Sequence, residues 1–342
     1  MKLLNNFLIM VFILLVGINE IYAGAGNRTG TGGASQLLIP VGARGIAMGS
    51  ANAATATGIE ALFWNPAGVA KLNNSADVMF SHMDYIADIG VEYGAVSANF
   101  EGFGVLSLSV KSLSIGEIAI TTVDNPDGTG RTFSPQNLIA GITYSKQLTE
   151  RIAVGVTANF VTETLADVSS NGVAFNVGVV YDNLASISGL SFGVVMKNIG
   201  PKMKFGGSGL LIQADAGSLS RPPQFYSIES AAYELPSTFE LGFGYQPKLD
   251  EMNSLLISTS FQNNNFSSDE YKVGLEYGYN NMFFIRGGYS AGPQNTNDFI
   301  YGFTAGAGIN YNFESLALRV DYAYRDTDFF DGNHIFSIAF GF

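Results

Sequence analysis

The chain has 342 residues, a formal net charge of −12, and few charged residues, at 13%. This acidity excludes nucleic acid as a partner, because phosphate binding needs clustered lysine and arginine. The chain has no cysteine, which excludes disulfides, thiolate-bound zinc and iron–sulfur clusters, and its two histidines lie far apart in sequence. The composition therefore predicts no metal, no cofactor and no catalytic centre.

The amino terminus has the three parts of a secretory signal peptide. Lys2 gives a positive start, residues 7–16 are continuously apolar, and small residues offer a cleavage site between Ala23 and Ala25. The alternative is a membrane-anchor helix, but this apolar run is too short when a span needs about twenty residues. We therefore expect residues 1–23 to be an export signal.

Apolar residues in the remainder of the chain alternate with small or polar ones. Phe239, Leu241 and Phe243, for example, share one strand face, while Glu240 and Gly242 share the other. Mean hydropathy is positive, at +0.20, although no other apolar run is long enough for a helical span. An exported chain of this kind predicts an all-β protein, a transmembrane antiparallel β-barrel.

A soluble β-sandwich is the alternative, since its strands also alternate. A sandwich turns its large apolar residues inward and its charges outward. Here one face carries glycine and charges, and the apolar face ends in tyrosine or phenylalanine, as the aromatic girdles of a membrane barrel require. Together with the signal peptide, this pattern favours the membrane barrel.

Alternation marks about fourteen strand segments within residues 76–342, and an even number is expected for a bacterial outer-membrane barrel. The segments are 77–85, 90–100, 102–114, 137–148, 151–163, 171–182, 189–198, 234–246, 253–263, 268–280, 282–291, 298–311, 315–325 and 332–342. The apolar face of the third segment shifts between Val105 and Leu106, which predicts a β-bulge there.

The connections between these segments predict an orientation. If the first strand starts in the periplasm, the two longest connections, 115–136 and 199–233, both face the exterior. Short periplasmic turns and longer external loops are the rule for outer-membrane barrels. We therefore expect an integral protein of the outer membrane, surrounded by its lipid.

Residues 24–75 do not alternate and are rich in glycine, alanine and serine. A segment this small and this lightly charged predicts a compact hatch inside the lumen, since wide barrels are plugged or filled with water. Within it, Asn65 is placed to cap a short helix that starts at Pro66, where the missing N–H costs nothing. We expect Trp64 to wedge this turn against the barrel wall.

Residues 39–70, IPVGARGIAMGSANAATATGIEALFWNPAGVA, resemble the amino-terminal signature of the PorV/PorQ family of outer-membrane proteins. The shared pattern is a small-residue-rich run with G-A-R, A-M-G and W-N-P-A-G at similar spacing. That family resembles FadL-like barrels, whose hatch has an Asn-Pro-Ala element. The resemblance implies these hatch residues: Arg44, Trp64, Asn65, Pro66, Ala67 and Gly68.

The resemblance also implies a function. Members of the family serve type IX protein secretion, in which they carry secreted proteins with C-terminal sorting domains at the outer surface and hand them to other secretion components. FadL-like barrels instead imply a channel for small hydrophobic molecules, gated by the hatch. A mainly structural barrel is the third alternative. The strand pattern separates secretion from the channel poorly, but the signature is that of the PorV/PorQ family, so the resemblance favours secretion.

Seven charged residues cluster on the predicted inward face of the eighth to thirteenth strands. They are Glu240, Lys272, Glu276, Arg286, Arg319, Asp321 and Arg325. Such charges either line a path for a ligand or pair to hold the hatch, and the presence of both signs favours pairing, since buried charges need partners. Arg44, the sole cation between Arg28 and Lys71, is expected to pair with a lumenal carboxylate such as Glu240 or Glu276.

The external connection 199–233 contains a group of apolar residues, and a loop this long is often functional. These residues are Leu210, Leu211, Ile212, Phe225 and Tyr226. They predict contacts with a partner protein or a hydrophobic ligand, or a lid that folds back over the barrel.

Overall fold

The structure, a computed structural model, describes residues 32–214, 223–292, 299–313 and 316–342. The predicted signal peptide, residues 1–23, lies outside these ranges. Within them, no helix combines the length and the apolar character needed to cross a membrane.

Fourteen antiparallel strands close into one barrel, as the alternation predicts. In chain order, β1 to β14 are Ala76–Asp84, Gly90–Phe100, Gly104–Ser114, Gln136–Gln147, Ile152–Leu165, Val168–Asp182, Leu190–Ile199, Thr238–Tyr245, Asn253–Asn264, Glu270–Tyr279, Phe283–Ala291, Tyr301–Asn312, Ala317–Thr327 and Asn333–Gly341. Since β1 pairs with both β2 and β14, the barrel sheet has no free edge.

The predicted strand bounds agree with the structure to within a few residues, with two informative differences. β8 begins at Thr238 rather than at residue 234, because Pro236 has no N–H to donate to a ladder. The bulge predicted between Val105 and Leu106 is wrong, since β3 pairs with both neighbours there without a shift in register.

Register shifts occur elsewhere in the barrel. One separates Phe175 from Val177 in the pairing of β6 with β7, and another separates Tyr301 from Thr304 in the pairing of β12 with β13. Alternation alone places Tyr301 on the outer face with Phe303. Tyr301 instead lines the inside of the barrel. One extra residue at the shift moves the side chains before it to the opposite face of the sheet.

The outer surface of the barrel is apolar and its inner surface is polar. On β10, Val273 and Leu275 are exposed, whereas Lys272 and Glu276 are buried. This arrangement is the reverse of that in a soluble domain, and it matches a sheet that meets lipid on its outer face.

Residues 32–75, which we call the plug, lie inside the barrel and run from one end to the other. The Gly33 amide donates to the Glu234 carbonyl oxygen at 3.2 Å, whereas the Ser75 amide donates to that of Phe342 at 2.8 Å, at the opposite end. The plug contains two short α-helices, Ala43–Ala47 and Ala61–Trp64.

Three 3₁₀ turns complete the secondary structure of the plug. They are Ser35–Leu37, Gly58–Glu60 and Pro66–Lys71. Most plug side chains are small and fully buried, which allows a segment without regular strands to fit closely against the inner wall.

The two longest described connections lie at the same end of the barrel, as predicted. One links β3 to β4 and the other links β7 to β8, and each contains a two-stranded hairpin. Connections at the opposite end are short. By the outer-membrane rule, we assign the end with the long connections to the exterior.

Candidate functional site

The Trp-Asn-Pro turn joins the plug to the barrel wall. Pro66 opens the 3₁₀ helix, and the Asn65 side-chain oxygen accepts from the Ala67 amide at 3.1 Å, which confirms the predicted cap. The Asn65 side-chain amide donates to the Ala53 carbonyl oxygen at 2.6 Å and to carbonyl oxygens of β6 and β7 at 3.3 and 3.4 Å. One buried amide therefore bonds to two parts of the plug and to two strands.

Two wall glycines make room for this turn. A Cβ atom at Gly178 would collide with the Asn65 side chain, and one at Gly155 would collide with the Pro66 carbonyl group. Trp64 packs edge-on to Phe63 at 5.0 Å and against the backbone of Gly45. It belongs to a buried apolar cluster that also includes wall residues such as Met79 and Ile335, and its role as a wedge stays a prediction.

The remaining motif residues, Ala67 and Gly68, are buried within the plug turn. Gly68 lies against the Ala56 carbonyl group so closely that any side chain would collide with it. The W-N-P-A-G motif is therefore a close-packed junction in which small residues permit backbone contact.

Arg44 pairs with Glu276 on β10, one of the two carboxylates predicted for it. Its Nε and Nη2 atoms donate to the two carboxylate oxygens at 2.7 and 2.8 Å, a bidentate geometry that is among the stronger charge pairs. Arg44 Nη1 also lies 3.3 Å from Glu60 within the plug. The other predicted partner, Glu240, instead accepts from Ser260 at 2.7 Å.

The ion pairs continue around the periplasmic half of the lumen. Arg286 lies 2.5 Å from Glu276 and 2.6 Å from Asp321. Arg319 lies 3.7 Å from Glu60 and 3.9 Å from Asp321. Three arginines, counting Arg44, thus alternate with three carboxylates, and two of the six residues belong to the plug.

Glu60 is central to this network, although no pattern in the sequence singles it out. Burial by itself would raise the pKa of the Glu60 carboxyl group. The positive charges of Arg319, Arg44 and Arg286 outweigh that effect and lower the pKa below its ordinary value. Glu60 is therefore ionised at neutral pH.

The other predicted lumenal charges lie in the external half of the barrel. Lys272 lies 3.2 Å from Glu270, and Arg325 donates to the Asn333 side-chain oxygen at 2.8 Å. The seven predicted charges therefore form two groups at different depths, rather than one cluster. Two further inward lysines, Lys111 on β3 and Lys197 on β7, were not predicted, because they lie outside the eighth to thirteenth strands where the predicted charges cluster.

A cavity of about 380 Å³ lies in this external half. Its lining includes apolar plug residues such as Leu37 and Phe63, together with Lys197, Lys272 and Arg325 from the wall. A volume of this size suits a small molecule, and pockets for such ligands commonly combine apolar walls with a few polar groups. We call this cavity the chamber.

The apolar residues predicted in the connection between β7 and β8 form part of an external hairpin. Leu211–Ala214 pairs with Gln224–Ser227, and Leu210 ends the 3₁₀ turn just before it. Phe225 is 70% exposed, and Leu211, Ile212 and Tyr226 are also exposed. Since they are exposed, these side chains do not fold back as a lid onto the described part of the barrel.

Comparison with known proteins gives one family match and many structural likenesses. Residues 23–214 match the model for the type IX secretion system protein PorV. The CymD monoaromatic hydrocarbon channel has a TM-score of 0.56 at 14% identity and covers 89% of this chain and 98% of its own. The toluene transporter TodX of P. putida has a TM-score of 0.56 at 13% identity, covering 89% and 99%.

A FadL homologue from Pseudomonas aeruginosa has a TM-score of 0.50 at 11% identity, covering 88% of this chain and 98% of its own. At these identities the likenesses show the barrel fold alone. No curated protein sequence matches the chain. The family model, by contrast, spans more than half of the chain, including the whole plug and β1 to β7, and the chain therefore belongs to the PorV family of outer-membrane β-barrels.

Proposed function

We propose that this protein is a type IX secretion component that binds secreted proteins, or partners within the secretion machinery, through its external loops. The observation that carries the proposal is the exposed apolar hairpin formed by Leu211–Ala214 and Gln224–Ser227. Membership of the PorV family supports it.

The hairpin has the physical properties of a protein-binding element. Its register places Ile212 opposite Tyr226 on one face, and Leu211 and Phe225 on the other. Burying one such side chain stabilises an association by about 2 kcal/mol. A two-stranded ribbon also leaves backbone groups free along its edges, to which an extended partner segment can add as a further strand.

The plug favours binding at the outer surface over passage through the lumen. Its small residues pack against the inner wall, and the Arg44–Glu276 pair ties it to β10. While the plug remains in place, the lumen has no open path wide enough for a polypeptide. A protein that holds secreted substrates externally needs no such route.

The test measures binding of a secreted protein's C-terminal sorting domain to the purified barrel in lipid nanodiscs. We expect the pair Leu211→Ser and Phe225→Ser, or the pair Ile212→Ser and Tyr226→Ser, to weaken binding by at least about tenfold and by up to several hundredfold, since each pair removes two apolar contacts of about 2 kcal/mol. The pair with the larger effect identifies the docking face.

The matched control for this test is Val123→Ser, which removes a fully exposed apolar side chain from the other long external connection. We expect it to leave binding unchanged. Equal binding by the wild type and both hairpin variants would contradict the proposed role of the hairpin.

The second candidate function is a channel for small hydrophobic compounds, with the hatch as its gate. The chamber favours it, because a cavity lined partly by apolar side chains opens off the external half of the lumen. Two of the structural neighbours are a monoaromatic hydrocarbon channel and a toluene transporter, which are proteins of this class. Uptake of a labelled aromatic hydrocarbon by cells with and without the protein tests this alternative.

A further inference from the structure

A groove of about 520 Å³ runs across the outer wall of the barrel, over strands β13, β14, β1, β2 and β3. The pairing register places one outward residue of each strand in a single row along its base. In that strand order, the row is Val320, Ile338, Phe80, Gly94 and Val110. Because Gly94 has no side chain, the wall between Phe80 and Val110 is one side chain lower than its surroundings.

The packing of the barrel does not require a glycine at position 94. Apart from its chain neighbours, the nearest described atom to a Cβ atom placed there belongs to the Phe80 ring, at 3.7 Å, an ordinary van der Waals contact. Gly178 and Gly155 differ, because a Cβ atom at either would collide with the plug. The space over Gly94 is therefore open on the side that faces the membrane, where an acyl chain can lie in it.

The external end of the groove carries a negative charge. His82 and Glu92 line it there; the Nδ1 atom of His82 lies 2.6 Å from Glu92, and its Nε2 atom lies 3.2 Å from Asp84. The side chains of Glu92 and Asp84 are 59% and 65% exposed on the outer face of the wall. Since one imidazole faces two carboxylates, the group has a net negative charge whether or not the imidazole is protonated.

No lysine or arginine of these five strands, all of which are fully described, neutralises that charge from the lipid side. The strands contain three such residues. Lys111 and Arg325 are buried toward the lumen, and Arg319 pairs with Glu60 of the plug. Charges on the lipid-facing side of a barrel are costly without a partner, so a cationic group supplied by the membrane itself complements this end of the groove.

We propose that the groove binds a lipid of the outer leaflet whose headgroup carries a protonated primary amine. The ammonium group donates to Glu92 and Asp84, and one acyl chain lies over Gly94. His82 and Glu92 are each two residues from the external end of their strands, which is the depth of the outer headgroups. A headgroup with only negative charge would be repelled by the two carboxylates. This inference does not depend on the secretion role, which binding at the external hairpin tests separately.

The experiment measures lipid binding to the purified, delipidated barrel by native mass spectrometry in an uncharged detergent. The probe is dipalmitoyl phosphatidylethanolamine. Its match is the N-acetyl derivative with the same acyl chains, which lacks the cationic amine. We expect saturable binding of phosphatidylethanolamine, with an affinity at least about tenfold above that of the N-acetyl lipid, because only the amine forms charge-assisted hydrogen bonds to the carboxylates.

Two variants separate recognition of the headgroup from recognition of the acyl chain. Glu92→Gln should weaken binding of phosphatidylethanolamine by about tenfold and should not weaken binding of the N-acetyl lipid. Gly94→Leu should weaken binding of both lipids, because the new side chain fills the groove.

Two matched variants outside the groove are the controls. Glu101→Gln makes the same change of charge in the exposed turn between β2 and β3, at the periplasmic end. Gly287→Leu makes the same change of size at an outward glycine of β11, where a Cβ atom meets no atom closer than 3.8 Å. Neither should change lipid binding. Heat-dependent mobility on a gel checks that each barrel is folded, and the nearly isosteric Glu92→Gln keeps the test available if Gly94→Leu does not fold.

Three outcomes would overturn the proposal. One is equal affinity for phosphatidylethanolamine and its N-acetyl derivative, and another is phosphatidylethanolamine binding that neither groove variant weakens. The third is a lipid-free dimer that Gly94→Leu abolishes, which would make the groove a contact between two copies of the chain.

Discussion

Glu60 is the plug residue on which charge balance in the lumen most depends. It contacts both Arg44 and Arg319, so its carboxylate neutralises one arginine from the plug and one from the wall. Because those charges lower its pKa, the ionised form stabilises the folded protein. That stabilisation is complete above the unfolded-state pKa of about 4.3 and is lost as the pH falls through the lower folded-state value.

Glu60→Gln should therefore lower thermal stability at pH 7, by about 3 kcal/mol, because it leaves the partly buried Arg44 and Arg319 short of a counter-charge. The difference from the wild type should shrink as the pH falls below about 4. Thermal unfolding in nanodiscs across this range measures both effects. The control is Glu229→Gln, at an exposed surface pair, and a pH-independent gap would contradict the assignment.

At the residue scale, the sequence predicts the pairing of charged residues best where a charge interrupts a regular pattern. Arg44 is isolated in a long uncharged stretch, and Glu276 alternates with apolar residues, so their pairing was predictable. Glu60 and Lys197 were not selected. Glu60 lies in the plug, where no periodicity tells inside from outside, and which charges pair there is set by the three-dimensional path of the chain.

At the element scale, the plug turn and β6 fit together only because Gly178 lacks a side chain. The Asn65 side chain occupies the space that a Cβ atom would need, while its amide bonds to the neighbouring carbonyl oxygens. Docking of the plug therefore depends on a wall position as well as on the motif itself.

Gly178→Ala should displace the turn and destabilise the plug by about 1–3 kcal/mol, the usual cost of overpacking a close contact. Limited proteolysis should then cut the plug faster than in the wild type while the barrel stays intact. Gly287→Ala is the matched control, because a Cβ atom there meets no atom closer than 3.8 Å. Unchanged protection of the plug in Gly178→Ala would contradict this docking geometry.

The strands were the most predictable elements. A sheet with lipid on one face and a polar lumen on the other imposes strict alternation, so fourteen segments could be located from the sequence. The register shift at Tyr301 was not predictable, because it depends on pairing with β13. The chamber was also missed, since it joins plug residues such as Phe63 to wall residues such as Arg325.

For the whole molecule, the two halves of the lumen differ in their chemistry. The periplasmic half holds balanced ion pairs that join the plug to the wall, such as Arg44 with Glu276. The external half holds the chamber, which is lined by apolar plug residues and charged wall residues, and the apolar hairpin lies at the same end. This division favours a barrel that is closed at its periplasmic end and binds its partners at its external end.

The central claim, a role in type IX secretion, is tested most directly by deleting the gene in its own host and measuring the secreted proteins. We predict that proteins with C-terminal sorting domains are lost from the cell surface and medium, while uptake of a labelled aromatic hydrocarbon is unchanged. Restoring the wild-type chain should restore secretion, and the hairpin variants should not. Normal secretion together with lost hydrocarbon uptake would contradict the account and favour the channel.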